Sequence, residues 1–303
     1  MRIAKIMHII KKYQKEFLFT TIIIAALTAI FWLVKQPFQI QTDTFSGERA
    51  LEDVAYQLSL GPRTPGSAAH AEEVEWIQDE LTRSGWAVEL QETIVSGVVV
   101  RNIIAKRGQG VPWIILGAHY DSRIEADQDS DPNRRKMPVP GANDGASGIA
   151  VLLELARIIP ADLDKQVWLV FFDAEDNGSY DGRGWIIGSR AFVDELTGKP
   201  DAVVIVDMIG DADLNIYKEK NSNPELTNEI WEIASGLGYG QFIPEYKYRM
   251  TDDHTPFLEA NIAAIDIIDF DYPYWHTTQD TLDKVSAESM QAIGDTLLAW
   301  ILR

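Results

Sequence analysis

The sequence predicts an α/β domain with a doubly wound, mostly parallel central sheet and helices on both faces, preceded by one transmembrane helix. Strand-like and helix-like segments alternate from residue 86 to the C-terminus, a pattern typical of parallel strands joined by helical crossovers. Residues 167–172 are apolar throughout, as strands buried on both faces are. Residues 17–34 contain no charged side chain, and this run predicts the membrane helix.

Composition and charge divide the chain into a basic head and an acidic body. The 303 residues carry a formal net charge of −19, to which residues 1–35 contribute +5 and the remaining 268 residues −24. An acidic body excludes nucleic acid as a partner, because such binding needs a basic face. The chain has no cysteine, which excludes disulfides, thiolate metal sites and a cysteine nucleophile. A content of 46% hydrophobic and 24% charged residues excludes a disordered chain.

The uncharged run at residues 17–34 is the predicted membrane anchor. Its 18 residues would span about 27 Å as a helix, close to the thickness of the hydrocarbon core of a bilayer. Basic residues precede it and Trp32 lies near its far end, so the positive-inside rule puts the N-terminus in the cytoplasm and the body on the extracytoplasmic side. No A-x-A site ends the run, which favours an uncleaved single-pass anchor over a cleaved signal peptide. The predicted organisation is a basic segment 1–16, an anchor 17–34, a linker 35–45 and a folded domain 46–303.

The folded domain opens with two helices and continues as alternating strands and helices. Ser46 and Ser67 are predicted to cap helices that end near Leu60 and Arg83, with a turn-rich break at residues 61–66. Strands are predicted at residues 86–95, 98–106, 113–116, 167–172, 202–206 and 263–268. Further helices are predicted at residues 148–159, 189–196, 224–237 and 287–302.

Ionisable residues follow the predicted strands at the point where each strand ends. In a parallel sheet these ends share one edge, where ligands bind. Histidine and carboxylate groups at such an edge form a ligand set suited to zinc. Each residue alone also fits an ordinary structural role, such as a helix cap or a core histidine, so the zinc hypothesis depends on their joint occurrence. The residues after strands are His119, Asp121, Glu175, Asp176, Asp207, Asp269 and His276, and Asp144 is predicted in a Gly-rich loop before a helix.

Seven segments carry a resemblance to one family of enzymes. They are GAHYDS (117–122), GANDGASGIAVLLELAR (141–157), VFFDAED (170–176), GSRAF (188–192), VDMIGD (206–211), DDHTPFL (252–258) and WHTTQDTLDKV (275–285). From about residue 50 to the C-terminus the chain resembles the zinc exopeptidases that include bacterial leucyl aminopeptidases and glutaminyl-peptide cyclotransferases. The resemblance implies a doubly wound α/β fold with a mixed central sheet, and it does not cover the anchor.

The resemblance also implies a metal site. Asp144, Asp176 and His276 would hold one zinc ion, and in two-metal relatives Asp144 bridges to a second ion held by His119 and Asp207. One departure from the family concerns Asp176, because relatives often have glutamate at that position. The shorter aspartate side chain still ligates zinc, but it changes where the ion is held or how strongly.

Two reactions share this family scaffold, and both act on peptide N-termini. An aminopeptidase hydrolyses the first peptide bond, usually with two metals. A glutaminyl cyclase uses one zinc ion to polarise the side-chain amide of an N-terminal glutamine, which the substrate's own α-amine attacks with release of ammonia. The resemblance makes Glu175 the general acid and base, a role in which a carboxylate takes and returns a proton. Asp121, two residues after His119, is placed to orient that imidazole.

Three segments favour the cyclase. Asp252, Asp253 and His254 resemble the cyclase pattern, as does GPRTPGS (61–67). Trp275, next to a predicted ligand, matches the aromatic wall of the cyclase pocket, and Tyr274 beside it is also assigned to substrate binding. In this interpretation Asp253 and Asp207 join Glu175 in a proton-moving carboxylate network. The alternatives are that Asp252 and Asp253 cap the next helix and that Trp275 only packs against the sheet.

Other features favour different interpretations. The loop after Asp176 lacks a tryptophan at the cyclase spacing, although Tyr180 or Trp185 can substitute, and all five ligand positions for two ions are intact, which favours an aminopeptidase. A third hypothesis is a binding ectodomain without catalysis. Such relatives usually lose metal ligands, and the zinc content of the protein would distinguish this hypothesis from the two enzymes.

Residues 123–140 are predicted to form a solvated loop rather than a rim of the site. The sequence indicates no oligomeric state.

Overall fold

A six-stranded sheet forms the centre of the part of the chain that the computed structural model describes, residues 44–95 and 97–303. The strands lie in the order β1-β2-β4-β3-β5-β8. They are β1 (Ala87–Val95), β2 (Val98–Arg107), β3 (Trp113–His119), β4 (Gln166–Phe172), β5 (Ala202–Asp207) and β8 (Ala264–Ile268). Two short strands, β6 (Ile216–Lys218) and β7 (Phe242–Tyr246), form a separate parallel pair that the sequence analysis did not predict.

Helices cover both faces of the sheet. They are α1 (Gly47–Leu60), α2 (Ala68–Arg83), α3 (Ala146–Ile158), α4 (Ile187–Glu195), α5 (Pro224–Leu237), α6 (Thr255–Glu259) and α7 (Ala287–Ile301), with a 3₁₀ turn at Leu282–Lys284. The larger core contains side chains of α1, α2, α3, α5 and α7. On the opposite face, Phe192 of α4 and Phe257 of α6 pack against Phe172 of β4. Alternate strand residues enter the two cores, so the predicted coverage of both faces is confirmed.

The sheet is mixed rather than purely parallel. β4, β3, β5 and β8 run parallel to one another, whereas β2 is antiparallel to both β1 and β4. The short connection between Val95 and Val98 explains why β1 and β2 are antiparallel, since a parallel pair needs a crossover of a dozen residues or more. A hairpin therefore extends a parallel core of four strands.

Two glycines allow the close packing that builds the site edge. β3 continues to His119, three residues past its predicted end. A Cβ on Gly117 would lie 2.5 Å from an aromatic ring of β4. A Cβ on Gly148 of α3 would lie 2.8 Å from the Cβ of Ala118. Because Gly148 has no side chain, α3 packs directly against the end of β3, while Gly117 leaves room for the Phe172 ring on the opposite face of the sheet.

The predicted helix starts agree with the structure. The Ser46 hydroxyl accepts the Arg49 N–H at 3.2 Å, and that of Ser67 accepts the His70 N–H at 3.1 Å. These bonds satisfy backbone donors that an α-helix leaves unpaired in its first turn. Both serines therefore fix where the first two helices begin.

The predicted membrane anchor lies outside the described residues. The basic segment, the anchor and most of the linker fall within residues 1–43. Among the helices of residues 44–95 and 97–303, none is both long enough and apolar enough to span a bilayer.

Candidate active site

The residues predicted to bind metal meet at one edge of the sheet. β3 ends at His119 and β5 at Asp207, while Asp176 follows β4 and His276 follows β8. Asp144 comes from the loop before α3. Because β3, β4, β5 and β8 are parallel, their carboxyl ends lie side by side. The structure brings all five side chains into two adjoining groups, which we call the β5 triad and the loop triad.

The β5 triad consists of His119, Asp144 and Asp207, all buried. The Nε2 atom of His119 lies 3.2 Å from Oδ1 of Asp144 and 3.2 Å from Oδ1 of Asp207. Burial lowers the pKa of His119, but the neighbouring carboxylates outweigh burial and hold it well above its usual range. Burial raises the pKa of Asp207 to about 7 against the opposing effect of His119. The triad therefore concentrates negative charge that favours a cation.

The loop triad consists of Asp144, Asp176 and His276, also buried. The Nε2 atom of His276 lies 2.8 Å from Oδ1 of Asp176 and 3.8 Å from Oδ2 of Asp144. Burial, and next the Asp144 charge, raise the pKa of Asp176 to about 6. Asp144 thus belongs to both triads and turns a different oxygen toward each histidine.

The donor atoms of both triads fit zinc. Within each triad they lie within 4.8 Å of one another. Tetrahedral zinc ligands at their usual bond lengths stand about 3.3–3.6 Å apart, close to the separations of the two histidine nitrogens from the carboxylate oxygens. Oδ2 of Asp176 is buried and has no hydrogen-bond partner, so it is free to bind a cation. Imidazole and carboxylate donors are the ligands that zinc takes in proteins without thiolates.

Asp121 connects the end of β3 to the loop after β4. The Nδ1 atom of His119 lies 3.1 Å from the backbone carbonyl oxygen of Asp121 and 3.5 Å from its Oδ1 atom. The Asp121 carboxylate accepts the backbone N–H groups of Glu175 at 2.9 Å and Asp176 at 3.2 Å, and the side-chain amide of Asn177 at 2.9 Å. Asp121 therefore contacts a predicted ligand mainly through its backbone, and its carboxylate fixes the backbone of the predicted base and of a second predicted ligand.

Asp280 supports Asp144 in a way that the sequence analysis did not predict. Its carboxylate accepts the backbone N–H groups of Asn143 at 2.9 Å and Asp144 at 3.2 Å, and the hydroxyl of Tyr272 at 2.6 Å. Asp280 stands in the segment WHTTQDTLDKV, four residues after His276. That position was the only sequence signal for its role.

The prediction that residues 123–140 form a solvated loop is wrong for residues 123–129, whereas most of residues 130–138 are exposed. The Arg123 guanidinium donates to the backbone carbonyl of Asp176 at 2.9 Å and to the carboxylate of Asp127 at 2.8 Å. Oδ1 of Asp127 lies 3.3 Å from Nδ1 of His276. The N–H of Gln128 donates to the backbone carbonyl of His276 at 3.2 Å. The loop packs on the His276 segment and forms a rim of the site.

Further buried carboxylates surround the triads. Burial raises the pKa of Glu175 well above its usual range; His119 opposes this shift, while Asp252 and Asp253 add to it. Burial, followed by the Asp252 charge, likewise raises the pKa of Asp253. Neighbouring buried carboxylates cannot all be ionised, so these groups share protons. We call this set the carboxylate cluster; its members are Glu175, Asp207, Asp252, Asp253 and Asp266.

Asp252 is a member of the carboxylate cluster to which the sequence analysis gave no role. Among acidic neighbours, its charge is the largest contributor to the raised pKa values of Glu175, Asp207 and Asp253. Helix α6 has no side-chain cap, and the N–H of Thr255 bonds to the backbone carbonyl of Asp252 at 2.7 Å. The alternative that the carboxylates of this segment cap the helix is therefore wrong.

Aromatic rings lie against the loop triad. The ring of Trp275 stacks on His276 with centroids 3.7 Å apart, and the ring of Trp185 lies parallel to His276 at 6.1 Å. Tyr274, also predicted to bind substrate, packs against Tyr272 at 5.5 Å and beneath the Lys284 ammonium. Trp275 and Trp185 are thus the aromatic residues that the structure places beside a predicted ligand.

Strained backbone also concentrates at this edge. Ala174, Met208 and His276 have φ values of 53°, 46° and 54°. Such conformations cost about 1–3 kcal/mol each for residues with a side chain, and they persist where the surrounding structure enforces them. Ala174 precedes Glu175, Met208 follows Asp207, and His276 is itself a predicted ligand. The strained residues therefore lie at the same site as the buried ionisable side chains.

The segment GPRTPGS (61–67) supports the loop that carries Asp144. The fully buried Arg63 places its Nε atom 2.9 Å from a carboxylate oxygen of Glu73. Its other nitrogens donate to the backbone carbonyls of Pro140 at 2.7 Å and Gly141 at 2.6 Å. Burial raises the pKa of Glu73 to about 7 against the effect of Arg63. A charge pair inside the protein therefore holds the start of the metal-binding loop.

Replacing Arg63 with methionine is expected to lower the free energy of unfolding by about 3–5 kcal/mol, because it leaves Glu73 buried without its partner. Urea denaturation of the variant measures the loss. Arg83→Met is the matched control, since Arg83 is 64% exposed in its pair with Glu80 and should contribute less than about 1 kcal/mol. Equal losses in the two variants would contradict a supporting role for Arg63.

Comparison with known proteins identifies one matching family profile. Residues 102–301 match the profile described as Peptidase family M28. Aminopeptidase YwaD from Bacillus subtilis is 30% identical over 205 residues, which cover 61% of this chain and 40% of YwaD. The chain therefore matches less than half of the length of that relative.

Two solved structures share the fold over almost their whole length. A Zn-dependent exopeptidase from Parabacteroides distasonis superposes with a TM-score of 0.82 at 32% identity, covering 86% of this chain and 99% of the other. Porphyromonas gingivalis glutaminyl cyclase superposes with a TM-score of 0.81 at 34% identity, covering 86% and 98%. The similarity thus extends to proteins of both reaction types.

Proposed function

This chain belongs to peptidase family M28, and from that premise we propose that it is a zinc-dependent glutaminyl-peptide cyclotransferase. Its relatives make it an enzyme of the cyclase or the aminopeptidase type. The observation that carries the cyclase proposal is the buried carboxylate cluster, which includes Asp207 of the β5 triad and extends through Asp252 and Asp253 to Glu175. The similarity to Porphyromonas gingivalis glutaminyl cyclase supports it.

Asp144, Asp176 and His276 would hold the zinc ion of a cyclase. When bound there, zinc supplies a positive charge that polarises the side-chain carbonyl of an N-terminal glutamine. The chain's own contribution is to keep the three ligands rigid. Asp280 holds the backbone of Asp144, and Asp121 holds that of Asp176. Ligands fixed before the substrate arrives need no rearrangement during the reaction.

Glu175 would move the proton. Cyclisation forms a bond between the α-nitrogen and the side-chain carbonyl carbon, and it breaks the bond from that carbon to the amide nitrogen, which leaves as ammonia. The α-amine loses a proton and the leaving nitrogen gains one, so a single carboxylate can accept and return it. Burial raises the pKa of Glu175 well above its usual range, which helps its carboxylate to hold the proton between the two steps. Asp252 and Asp253, with which Glu175 interacts, would share the proton between the two steps.

Cyclisation also requires that water be kept from the glutamine amide. Trp275 and Trp185 lie beside His276, and Glu175 is only 7% exposed. An apolar wall next to the reacting amide lowers the local water content and strengthens electrostatic interactions there. This arrangement favours attack by the substrate's own amine.

A metallo-aminopeptidase is the second candidate, and the intact β5 triad favours it. His119, Asp144 and Asp207 have the geometry to hold a second cation, and two-metal sites activate water for hydrolysis. Aminopeptidase YwaD represents this type among the relatives. In this alternative Glu175 would serve the attacking water rather than the α-amine.

The deciding experiment offers the purified, zinc-loaded full chain a glutaminyl peptide and leucine amide in parallel. We expect a pyroglutamyl peptide and ammonia from the first, and no free leucine from the second. Mass spectrometry and amino-acid analysis measure the two products, and the chelated protein is the control. Release of leucine without pyroglutamate would instead assign the aminopeptidase reaction.

We further propose that residues 17–34 anchor the enzyme in a membrane, with residues 1–16 in the cytoplasm and the catalytic domain, residues 46–303, on the extracytoplasmic side. The support is the uncharged run and the basic residues before it. The substrate would then be the N-terminus of an extracytoplasmic peptide or protein.

A further inference from the structure

A groove of about 510 Å³ lies next to the proposed active site, and the proposed reaction does not use it. Val95 and Val98, the paired ends of β1 and β2, line one part. Trp185, Ile187 and Thr251 line other parts of the groove. Its volume falls within the range of ligand-binding pockets, and most of its lining is apolar.

The groove adjoins the segments that carry the proposed catalytic residues. Trp185, which lies parallel to His276 at 6.1 Å, is also part of the groove lining. The N–H of Ile186 donates to the backbone carbonyl of Glu175 at 3.1 Å. Thr251 directly precedes Asp252. The groove therefore begins where the first residue of a substrate would lie, and backbone hydrogen bonds hold it in register with the proposed base.

Arg183 gives the groove a positive charge without a partner. Within residues 44–95 and 97–303 it makes no ion pair, and one guanidinium nitrogen is buried without a hydrogen-bond acceptor. Its guanidinium carbon lies 5.7 Å from the centroid of the Tyr180 ring, and the groove lining also includes the carboxylate residue Asp194. Arg190, on the same groove, is by contrast paired with Glu259 at 2.7 Å. A buried donor without an acceptor costs free energy, which a ligand carboxylate would recover.

We propose that the groove binds the substrate residues that follow the first one, and that Arg183 selects substrates with a carboxylate there. This inference rests on the proposed action at peptide N-termini. The apolar lining formed by Val95, Val98 and Trp185 accommodates aliphatic side chains, while Arg183 binds the carboxylate. That group can be an acidic side chain or the α-carboxylate of a short peptide. The preferred substrate class is therefore an acidic or short peptide with an apolar residue near its N-terminus.

The test measures kcat/KM of the full-length enzyme for amidated peptides that begin with glutamine. One glutamate is moved through positions two, three and four of a glutaminyl-leucyl-alanyl-alanine framework, with glutamine at the same position as the neutral reference. We expect about a tenfold preference for glutamate at one position, the size of a charge-assisted hydrogen bond. Free-acid peptides without glutamate test the α-carboxylate as the source.

Variants at Arg183 show whether this residue carries the preference. Arg183→Gln should lower the glutamate-to-glutamine ratio to about one. Arg183→Lys should keep part of the preference, and it also replaces the first variant should that one fail to fold. Arg190→Gln, the control on the same groove, should keep the full ratio. Raising NaCl from about 0.05 to 0.5 M should reduce the ratio, which a purely structural effect would not do.

The proposal is overturned if no position prefers glutamate, or if the preference survives in Arg183→Gln. Its test does not depend on the cyclase reaction. Should the enzyme release leucine and form no pyroglutamate, the same series is repeated with leucine as the first residue. The ratio then reports on Arg183 whichever N-terminal reaction the enzyme catalyses.

Discussion

Replacing Glu175 with glutamine is expected to lower kcat by about 10²–10⁴-fold while the protein keeps its zinc. Glutamine has the same size but cannot accept the proton that either N-terminal reaction must move. Glu175 belongs to neither triad, so its loss leaves every predicted ligand in place. Its backbone N–H remains bonded to Asp121 at 2.9 Å, which keeps the loop in position.

Turnover and zinc content of the same preparation provide the measurement. Glu92→Gln is the control, because the Glu92 side chain is 54% exposed in a surface pair with Arg101, and we expect no change in kcat. Near-normal turnover in Glu175→Gln would remove Glu175 from the role of acid and base. Loss of zinc in that variant would make it a ligand instead.

Replacing His276 with alanine is expected to remove zinc and turnover together. His276 is the only nitrogen donor of the loop triad, and its ring also contacts Trp275, Trp185 and Asp127. The loss of zinc affinity should exceed the 10–100-fold that follows loss of an outer hydrogen-bond partner. Elemental analysis and kcat measured after dialysis at fixed zinc concentration show both effects.

The zinc content of a His119→Ala variant shows whether the protein binds one ion or two. In a one-zinc cyclase the substitution should leave the zinc content of the protein unchanged, because His119 belongs only to the β5 triad. In a two-zinc aminopeptidase it should lower the content from two ions to one. An active, zinc-replete His276→Ala variant would show that the loop triad is not the metal site.

The order of strands and helices could be predicted from sequence because it follows local patterns. The uninterrupted apolar residues of β4 and the caps at Ser46 and Ser67 are signals contained within a few residues. The direction of β2 is different, because it depends on which strand β2 meets in the sheet. Its antiparallel pairing with β4 joins residues sixty or more positions apart, and no local period encodes that contact. The three-residue strand β6 is too short to show a period at all.

For the candidate site, too, residues within local motifs could be predicted and residues with distant contacts could not. The resemblance identified the five predicted ligands and Glu175 by motif, and the structure brings them together at one edge. The supporting roles of Asp280 and Arg123 were missed because their contacts are remote in sequence. Asp280 binds the backbone of Asp144 across 136 positions, and Arg123 binds that of Asp176 across 53. Asp252 was passed over for its neighbour Asp253, since adjacent carboxylates look equivalent until the backbone turns each in its own direction.

Asp144 makes the two triads thermodynamically dependent on each other. One of its oxygens lies 3.2 Å from His119 and the other 3.8 Å from His276, so both triads draw on a single negative charge. A cation at the first triad would leave less of that charge for a cation at the second, which would make their affinities negatively cooperative. By linkage the coupling would be reciprocal, whichever triad filled first. A single carboxylate would thereby favour one-ion occupancy without the loss of any ligand, and occupancy by one ion or two would depend on the free zinc concentration.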